Sequence, residues 1–267
     1  MSNTKPAKER AARLRVGALA ITLGLVTAGS QIAQSQESKP MNQTSASDRS
    51  ASDTLSDRQQ AILPIAAFAA AGDMAKLNAA LGQGLDAGMT VSDAREILVQ
   101  LYAYAGFPRS LNALGELMKV LEARKQRGIQ DAPGREPSRP IPKGDALLAA
   151  GTANQTRVSG GPVQGPLFDF APAANEYLRA HLFGDIFERD NLDWQSRELA
   201  TVGMLSALPG AESQLQAHMR ISMNVGITAG QLRQLTQVLS SRVNTDTARR
   251  ASEALDRHLA TLPAGKQ

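Results

Sequence analysis

Apolar and polar positions from residue 56 onward follow the 3.6-residue period of amphipathic helices. Leu77, Leu81 and Leu85 recur at four-residue spacing, and residues 199–208 carry a similar apolar stripe. Val, Ile and Thr do not cluster in the alternating runs that are typical of strands. The pattern therefore predicts an all-α fold, which we interpret as a duplicated helical bundle for the reason given below.

Helix-start signals mark several boundaries. Ser56 and Gln59 have the spacing of a capping box, and this predicts a helix that ends at Gly72. Pro64 lies inside that helix and predicts a kink or a later start. Asp193 is a predicted N-cap in the second half of the chain. The remaining helices are expected at about 73–87, from Thr90 to a break at 102–108, from Pro108 to about 125, and then at 173–188, 193–208, 211–225, 228–240 and 244–262.

Two stretches of the chain resemble each other at an offset of 138 residues. LNAALGQGLDAGMTVSDAREIL, which begins at Leu77, aligns without gaps with LQAHMRISMNVGITAGQLRQLT. Gly88 and Thr90 align with Gly226 and Thr228, so both copies place a glycine and a capping threonine between two helices. Any two helical hairpins share some of these features, but their coincidence favours a duplication.

The composition divides the chain into five segments. Residues 1–35 form a predicted signal peptide, and residues 36–55 are a polar, Ser-rich stretch that we interpret as a disordered tether. Residues 56–125 and 173–262 are the two predicted repeats. The Pro/Gly-rich residues 126–172 are predicted to be a surface linker with one short helix at 145–151.

The leader has a basic start followed by an apolar run, Val16–Gly29, of 14 residues. A membrane-spanning helix needs about 20 residues, so cleavage is favoured over a retained anchor. We therefore expect a periplasmic or secreted protein with no membrane association after removal of the leader. The leader carries five Lys or Arg and one Glu, a net charge equal to the +4 of the whole chain. The mature chain is then near neutral, and no nucleic-acid partner is predicted.

The chain contains no cysteine. This excludes disulfides, a thiol nucleophile, a thiolate metal site and a cysteine-dependent peroxidase reaction.

Candidate chemistry concentrates between residues 191 and 228. Trp194, Arg197 and Glu198 lie at the start of one helix, and His218 lies in the middle of the next. The Arg-Glu pair has a purely structural alternative as an interhelical salt bridge, and His218 has one as a core residue. His181 and Asp185 have the i, i+4 spacing of two metal ligands, but no third ligand is visible, so no metal is predicted.

The segment from Ala173 to Thr228 resembles the carboxymuconolactone decarboxylase family, which is related to alkyl hydroperoxidase D. The matching features are the RELAT helix start, the small-residue helix that follows it, His218 and the Gly-Ile-Thr turn at 226–228. The first half resembles the same family in GLDAGMT and in YAGFPRSLNAL, which begins at Tyr104. The resemblance covers about residues 57–262.

This resemblance implies an alkyl hydroperoxidase D-like helical bundle that assembles as a homo-oligomer. Its thiol peroxidase branch places Cys-x-x-Cys before the histidine, where this chain has Ala211 and Gln214. Its decarboxylase branch needs neither thiol nor cofactor. In that branch's chemistry, Arg197 would bind a substrate carboxylate, His218 would be the general acid, and Glu198 would orient His218 or assist in water loss.

Neither copy retains the whole family pattern. The first has YAGFP but Ala80 in the histidine position, and the second has His218 but SSRVNTD where YAGFP is expected. Either the site is composite or catalysis has been lost. In the composite site, substrate-binding residues from both copies meet the catalytic pair of Glu198 and His218. The predicted substrate-binding residues are Tyr104, Phe107, Arg109, Trp194 and Arg197.

The sequence thus predicts a carboxymuconolactone decarboxylase-like protein. Its expected reaction is the cofactor-free decarboxylation or isomerisation of a small carboxylated lactone, with His218 as general acid. The alternative is a non-catalytic periplasmic small-molecule-binding or assembly protein on the same scaffold. Either reading predicts a small-molecule substrate or ligand as the partner.

Overall fold

The computed structural model describes residues 53–263, and all of their regular structure is helical. The predicted leader and almost all of the predicted tether lie outside the described residues. The described residues form eleven α-helices and one π-helical segment. They are α1 (Asp57–Ala71), α2 (Met74–Asp86), α3 (Val91–Gln100), α4 (Tyr102–Gln126), α5 (Gly144–Ser159), α6 (Pro166–Phe170), α7 (Pro172–Tyr177), the π-helical segment (Leu178–Ile186), α8 (Trp194–Ser206), α9 (Glu212–Asn224), α10 (Ala229–Arg242) and α11 (Thr245–Leu259). The predicted all-α fold is confirmed.

The centre of the molecule is the pair of helices α1 and α8, which pack along each other. Ten consecutive residues of α1, Ala61 to Ala70, are buried, and the helix continues through Pro64 without a break. Small residues allow the close approach, because a Cβ added to Gly203 of α8 would lie 3.1 Å from both the Ala66 Cβ and the Leu63 carbonyl oxygen. A helix buried on all sides needs apolar residues around its whole circumference, as the sequence of α1 has.

Two sets of helices flank this pair, whereas α5, α6, α7 and the π-helical segment pack chiefly against one another and against α9. α2, α3 and α4 lie on the side of the first half, and α9, α10 and α11 lie on the side of the second. α10 also contacts α1, and α4 contacts α8, so the two halves share one apolar core. Among residues 53–263, no helix combines the length and the apolar character that crossing a membrane requires.

Capping follows the sequence signals. Ser56 with Gln59, Thr90 with Asp93 and Thr228 with Gln231 form capping boxes, and Asp193 accepts a hydrogen bond from the Ser196 N–H. The helix starts of the two halves also correspond. α2 and α9 begin 138 residues apart, as do α3 and α10. Between these helices, Gly88 (φ 86°) and Gly226 (φ 98°) both adopt the left-handed conformation.

Helix α4 has a break near its start. Gly106 has φ 80° and ψ 161°, values that no helix contains, and the chain resumes its helical path at Phe107. The break expected within residues 102–108 is therefore confirmed. It separates a short first turn, which carries Tyr102 and Tyr104, from the long remainder of the helix.

Helix α5 is longer than the short helix expected at 145–151. It runs from Gly144 to Ser159 and ends at Gly160, which has φ 78°. Gly151, the expected end, lies instead at a crossing with the π-helical segment, where an added Cβ would lie 1.8 Å from the Arg179 carbonyl oxygen. Glycine at that position permits the backbone contact and does not end the helix.

The non-helical residues 127–143 are attached to the start of α3. The N–H groups of Val91 and Ser92 donate to the carbonyls of Ala132 and Pro133 at 2.9 and 3.0 Å. These two contacts satisfy amides that the first turn of a helix leaves without partners. Arg124 adds an ion pair with Asp131 at 2.8 Å. The segment is thus held against the helical core at its N-terminal end.

Candidate active site

A buried histidine–carboxylate pair lies between α8 and α9. The Nδ1 atom of His218 is 2.7 Å from the Glu198 Oε2 atom, and the exposed fractions of the two residues are 8% and 0%. Because an ionised carboxylate only accepts hydrogen bonds, the imidazole donates from Nδ1. The other ring nitrogen, Nε2, is then the atom that can exchange a proton with a ligand. A carboxylate at Nδ1 also stabilises the imidazolium that forms when Nε2 takes up a proton.

Tyr104 completes the group from the first half of the chain. Its ring meets that of His218 edge-on, with 5.7 Å between the ring centroids. Burial raises the pKa of the Tyr104 phenol far above its usual range, and the nearby Glu198 carboxylate adds to the shift. The phenol therefore remains protonated, and its buried hydroxyl has no hydrogen-bond partner of good geometry in the fold. A buried donor without a partner is costly unless a ligand uses it.

Two further buried polar atoms near the pair have no partner. They are the second carboxylate oxygen of Glu198 and the hydroxyl of Ser222, which lies one helical turn after His218. Buried polar groups are usually hydrogen-bonded, so such a concentration around one histidine is typical of a functional site.

The structure places Arg197 in an internal ion pair and not at a ligand. Its guanidinium is fully buried and donates to Glu96 Oε2 at 3.1 Å and to the Arg189 carbonyl at 2.8 Å. Glu96 also receives a bidentate contact from Arg189 at 2.6 and 2.9 Å. The predicted role of Arg197 as a carboxylate-binding residue is therefore revised, because both of its terminal nitrogens are used within the fold and only the buried Nε has no partner.

Gln100 extends this network. Its side-chain amide donates to the Arg197 carbonyl at 3.0 Å and to Thr201 Oγ1 at 2.8 Å, and its oxygen accepts from the Arg197 guanidinium at 3.2 Å. Glu96 and Gln100 both lie on α3, one turn apart, so α3 is tied to the first turns of α8. The network fixes the helix that carries Glu198.

Two of the predicted substrate-binding residues are on the outside of the molecule. Phe107 is 61% exposed and stacks on Tyr102 with 4.6 Å between the ring centroids. Arg109 is exposed, and its guanidinium donates to the Ala71 carbonyl at 2.8 Å, at the end of α1. The bend at Gly106 separates them from Tyr104, so the structure does not bring them to the histidine–carboxylate pair.

Trp194 lies one helical turn before Glu198 on α8. Its ring packs at 5.8 Å from the ring of Phe187, and its indole N–H donates to the Phe187 carbonyl at 3.3 Å. The other face of the indole carries the Arg157 guanidinium at 4.8 Å from the ring centroid. Trp194 therefore lines a separate cavity, which is described below.

An apolar wall borders the site on the side of the π-helical segment. It consists of buried side chains from α5, the π-helical segment and α9, against which Tyr104 and Trp194 pack. Its members are Val158, Leu182, Phe183, Ile186, Phe187 and Ile221. π-helical turns are uncommon and occur often at functional sites, where they redirect side chains. Here the segment presents aromatic rings toward the site.

His181 and Asp185 hydrogen-bond to each other at 2.9 Å on the exposed side of the same segment. Within residues 53–263 there is no group of three or more metal-binding side chains.

Sequence reasoning did not identify Glu96, Arg189, Gln100 or Arg157. For Glu96 and Gln100 a signal was available: they lie four residues apart on a predicted helix whose other face is apolar. The contact of α3 with α8, which gives these residues their partners, is a long-range feature that no local pattern shows.

Residues 172–257 match the carboxymuconolactone decarboxylase family. The match begins in α7 and ends in α11, so it includes both Glu198 and His218. Tyr104 and Glu96 lie outside it. No curated protein sequence matches the chain. Residues 172–257 are therefore related to the carboxymuconolactone decarboxylase family, and Tyr104, which lies outside the match, packs edge-on against the ring of His218.

At the 138-residue offset, the positions of Glu198 and His218 have no acid–base groups in the first half. Residues 138 positions away from Glu198, His218 and Tyr104 are Gln60, Ala80 and Arg242. Arg242 lies 3.5 Å from Gln60, as Tyr104 lies near Glu198. An amide and a methyl group cannot exchange protons near neutral pH. Of these two corresponding positions, the one at His218 alone can support proton transfer.

Proposed function

We propose that this protein is a cysteine-independent, cofactor-free enzyme that transfers a proton to or from a small carboxylated lactone. The carboxymuconolactone decarboxylase-like domain supplies the scaffold. The single observation that carries the proposal is the buried 2.7 Å contact between His218 and Glu198. A histidine held by a carboxylate in an apolar setting is a general acid or base with a defined orientation.

In the proposed decarboxylation, the carbon–carbon bond to the carboxylate breaks and its electron pair moves into the conjugated lactone. Carbon dioxide leaves, and the protonated Nε2 of His218 delivers a proton to the electron-rich carbon. His218 regains its proton from solvent, so the net reaction consumes one proton and releases one carbon dioxide. An isomerisation would use the same residue twice, first to remove a proton and then to return it.

Tyr104 donates a hydrogen bond to the substrate in this proposal. Its protonated hydroxyl lies near the pair and beside Thr201 but makes no hydrogen bond of good geometry, and a lactone carbonyl oxygen is an acceptor that it can satisfy. Negative charge develops on that oxygen as electrons enter the lactone, which strengthens the hydrogen bond in the transition state. Glu198 holds the imidazole in position and does not contact the substrate.

We also infer that the chain arose by duplication and that the site is composite. Two observations support this inference: pairs of helices in the two halves begin 138 residues apart, and Gly88 and Gly226 both adopt the left-handed conformation between them. The two halves contribute different residues, Tyr104 from the first and the His218–Glu198 pair from the second. Such an arrangement explains why neither half carries a complete set.

Export and self-association are part of the same proposal. The leader pattern supports export, and N-terminal sequencing of protein recovered outside the cytoplasm would test it.

The exposed apolar residues Phe107, Leu111 and Met118 on α4, with exposed fractions of 61%, 62% and 72%, support a homo-oligomer. Sedimentation of the wild-type chain against a Leu111→Glu variant would test that assembly.

The decisive experiment incubates the protein with a panel of carboxylated unsaturated lactones and follows carbon dioxide release together with lactone absorbance. His218→Ala is the central variant, and His181→Ala, at an exposed histidine, is its matched control. Loss of at least about a hundredfold in turnover is expected for the first variant and none for the second, since general acid–base catalysis contributes 10² or more.

Equal turnover of the His218→Ala variant and the wild-type protein would exclude the proposed mechanism. Saturable binding of a lactone acid with no product from any member of the panel would instead favour the non-catalytic binding protein. Carbon dioxide release distinguishes the two results, and thermal shift reports binding in both cases, because a bound ligand raises the melting temperature whether or not it reacts.

A further inference from the structure

A cavity lies at the ends of three helices, about two turns from His218 along α9. It has a volume of about 330 Å³ and is lined by Arg157 from the end of α5, Trp194 and Gln195 from the start of α8, and Asn224 and Val225 from the end of α9. Asp193, the N-cap of α8, also lines it. Hydrogen bonds hold its walls together: Asn224 donates to the Val158 carbonyl at 2.9 Å and Gln195 to the Val225 carbonyl at 3.1 Å.

Arg157 brings an uncompensated positive charge to this cavity. Its guanidinium lies over the Trp194 ring at 4.8 Å, and within residues 53–263 no carboxylate pairs with it. Arg157 is exposed to solvent at the mouth of the cavity, whereas the buried Arg124 and the half-buried Arg189 have carboxylate partners. A guanidinium stacked on an aromatic face keeps its edge donors free for a planar anion such as a carboxylate.

Asp193 also lines the cavity, but its carboxylate is held by Ser196 and forms no ion pair with Arg157. Asp193 accepts hydrogen bonds from the Ser196 N–H at 2.7 Å and from the Ser196 hydroxyl at 3.1 Å. It therefore caps α8, whose N-terminus carries the positive end of the helix dipole. The charge that remains available to a ligand is that of Arg157.

The cavity and the His218–Glu198 pair lie along one interhelical seam. On α8, Trp194 and Glu198 are four residues apart and share a face. On α9, His218 and Val225 are seven residues apart and also share a face, with the buried, unpartnered hydroxyl of Ser222 between them. Four to seven residues of helix rise about 6–10 Å, so the cavity-lining residues of α8 and α9 lie about that far along their helices from Glu198 and His218.

We infer that this cavity is the subsite for a carboxylate of a small acid, with Arg157 as its ligand-binding cation. The assignment of the cavity as a substrate subsite rests on the proposed function, whereas carboxylate binding at Arg157 is testable without it. Arg157 lies outside residues 172–257, the part that matches the family. It supplies the cation that Arg197 cannot, since the latter is used within the fold.

Trp194 provides a direct readout, because it is the only tryptophan of the chain. The probes are γ-butyrolactone-γ-carboxylate and its methyl ester, which has the same ring without the charge. Titration of each probe is followed by tryptophan fluorescence and, independently of the fluorophore, by isothermal calorimetry. The acid is expected to bind at least about tenfold more tightly than the ester, because a hydrogen bond to a charged partner contributes about that factor.

The test variant is Arg157→Gln, and Arg233→Gln is the matched control at an exposed arginine of α10 without an ion pair among the described residues. Arg157→Gln is expected to weaken acid binding about tenfold and to leave ester binding unchanged, while Arg233→Gln changes neither. Equal affinity of acid and ester for the wild-type protein would overturn the inference, as would unchanged acid affinity in Arg157→Gln. Circular dichroism establishes that both variants are folded.

His218→Ala separates this inference from the proposed function. If both are correct, that variant binds the acid with wild-type affinity and releases no carbon dioxide from the unsaturated lactones. Retained binding in a wild-type protein without turnover would contradict the proposed enzyme and leave the carboxylate subsite standing. Turnover that depends on His218 but is indifferent to Arg157→Gln in both kcat and KM would contradict the subsite alone.

Discussion

Replacing Glu96 by glutamine removes the carboxylate that forms ion pairs with both Arg189 and the buried Arg197. The side chain keeps its size, and the carboxylate oxygens that accept from Arg189 at 2.6 and 2.9 Å and from Arg197 at 3.1 Å become one amide oxygen and one amide nitrogen. Arg197 has no access to solvent, so its charge remains buried without a counter-ion. The amide nitrogen, a donor, then faces a guanidinium donor.

The expected loss in the free energy of unfolding is about 3–5 kcal/mol, the cost of breaking a fully buried pair by removing one partner. The exposed pair of Arg249 and Glu253, at 2.9 Å, gives the contrast. Glu253→Gln makes the same chemical change where both side chains are about half exposed, and a surface pair contributes only about 0–1 kcal/mol. The difference between the two variants isolates the effect of burial.

Urea unfolding followed by circular dichroism measures these values for the wild-type protein and both variants. The pH dependence gives a second check. Burial alone would raise the pKa of Glu96, but the hydrogen bonds from Arg189 and Asn191 and the charge of Arg197 outweigh it, so the folded pKa lies below 4.5. The stabilisation from this carboxylate is thus present above pH 4.5 and is lost as the pH falls through the folded pKa.

The gap between wild-type protein and Glu96→Gln should therefore narrow as the pH falls below 4.5, because a protonated carboxyl resembles the amide. A loss of less than about 1 kcal/mol in Glu96→Gln, equal to that in Glu253→Gln, would refute the reasoning. So would a gap that does not change with pH. Adding Arg197→Met to Glu96→Gln should recover part of the loss, since the unpaired buried charge is then removed.

Three further predictions concern single positions. Tyr104→Phe should raise the free energy of unfolding by about 1 kcal/mol, because it removes a buried hydroxyl without a hydrogen bond of good geometry. The same change should lower kcat/KM about tenfold. A loss of stability with unchanged activity would contradict this prediction. Gly151→Ala should lower the free energy of unfolding by more than about 3 kcal/mol, because its Cβ would lie 1.8 Å from the Arg179 carbonyl oxygen. Gly82→Ala has open space around its Cβ and should raise the free energy of unfolding by about 0.5–1 kcal/mol in the same urea assay. Burial, with a contribution from Arg220, lowers the pKa of His258, so the unfolded chain binds more protons than the folded chain below pH 6.5. Below that pH, the melting temperature of the wild-type protein should therefore fall more steeply than that of His258→Gln.

Local signals predicted most of the helical framework. The capping boxes at Ser56, Thr90 and Thr228 and the glycines that follow the helices are determined by nearest neighbours, and the structure has them where the sequence indicates. The end of α5 was predicted at Gly151 and lies at Gly160, because a glycine ends a helix in one context and permits a close crossing in another. The partner that decides between these roles is the π-helical segment, about thirty residues away in sequence.

The same division holds for the candidate site. His218 and Glu198 were identified from residue type and from their resemblance to a family, and the match of residues 172–257 supports that relationship. Their mutual contact and the edge-on approach of Tyr104 depend on how α4, α8 and α9 pack. Arg197 shows the limit of residue type, because a guanidinium suited to a substrate carboxylate is equally suited to Glu96.

The sequence by itself determined the helices, their caps, the absence of thiol chemistry and the presence of one histidine among groups able to transfer protons. These follow from periodicity and turn chemistry, which depend on residues close together in sequence, and from composition, which does not depend on residue order. Only the tertiary structure decided which of two arginines, Arg157 and Arg197, has no carboxylate partner among the described residues. Burial against α3 gives Arg197 a carboxylate, and the meeting of three helix ends leaves Arg157 without one. Charge is a property of a residue, but its availability to a ligand depends on what the fold places beside it.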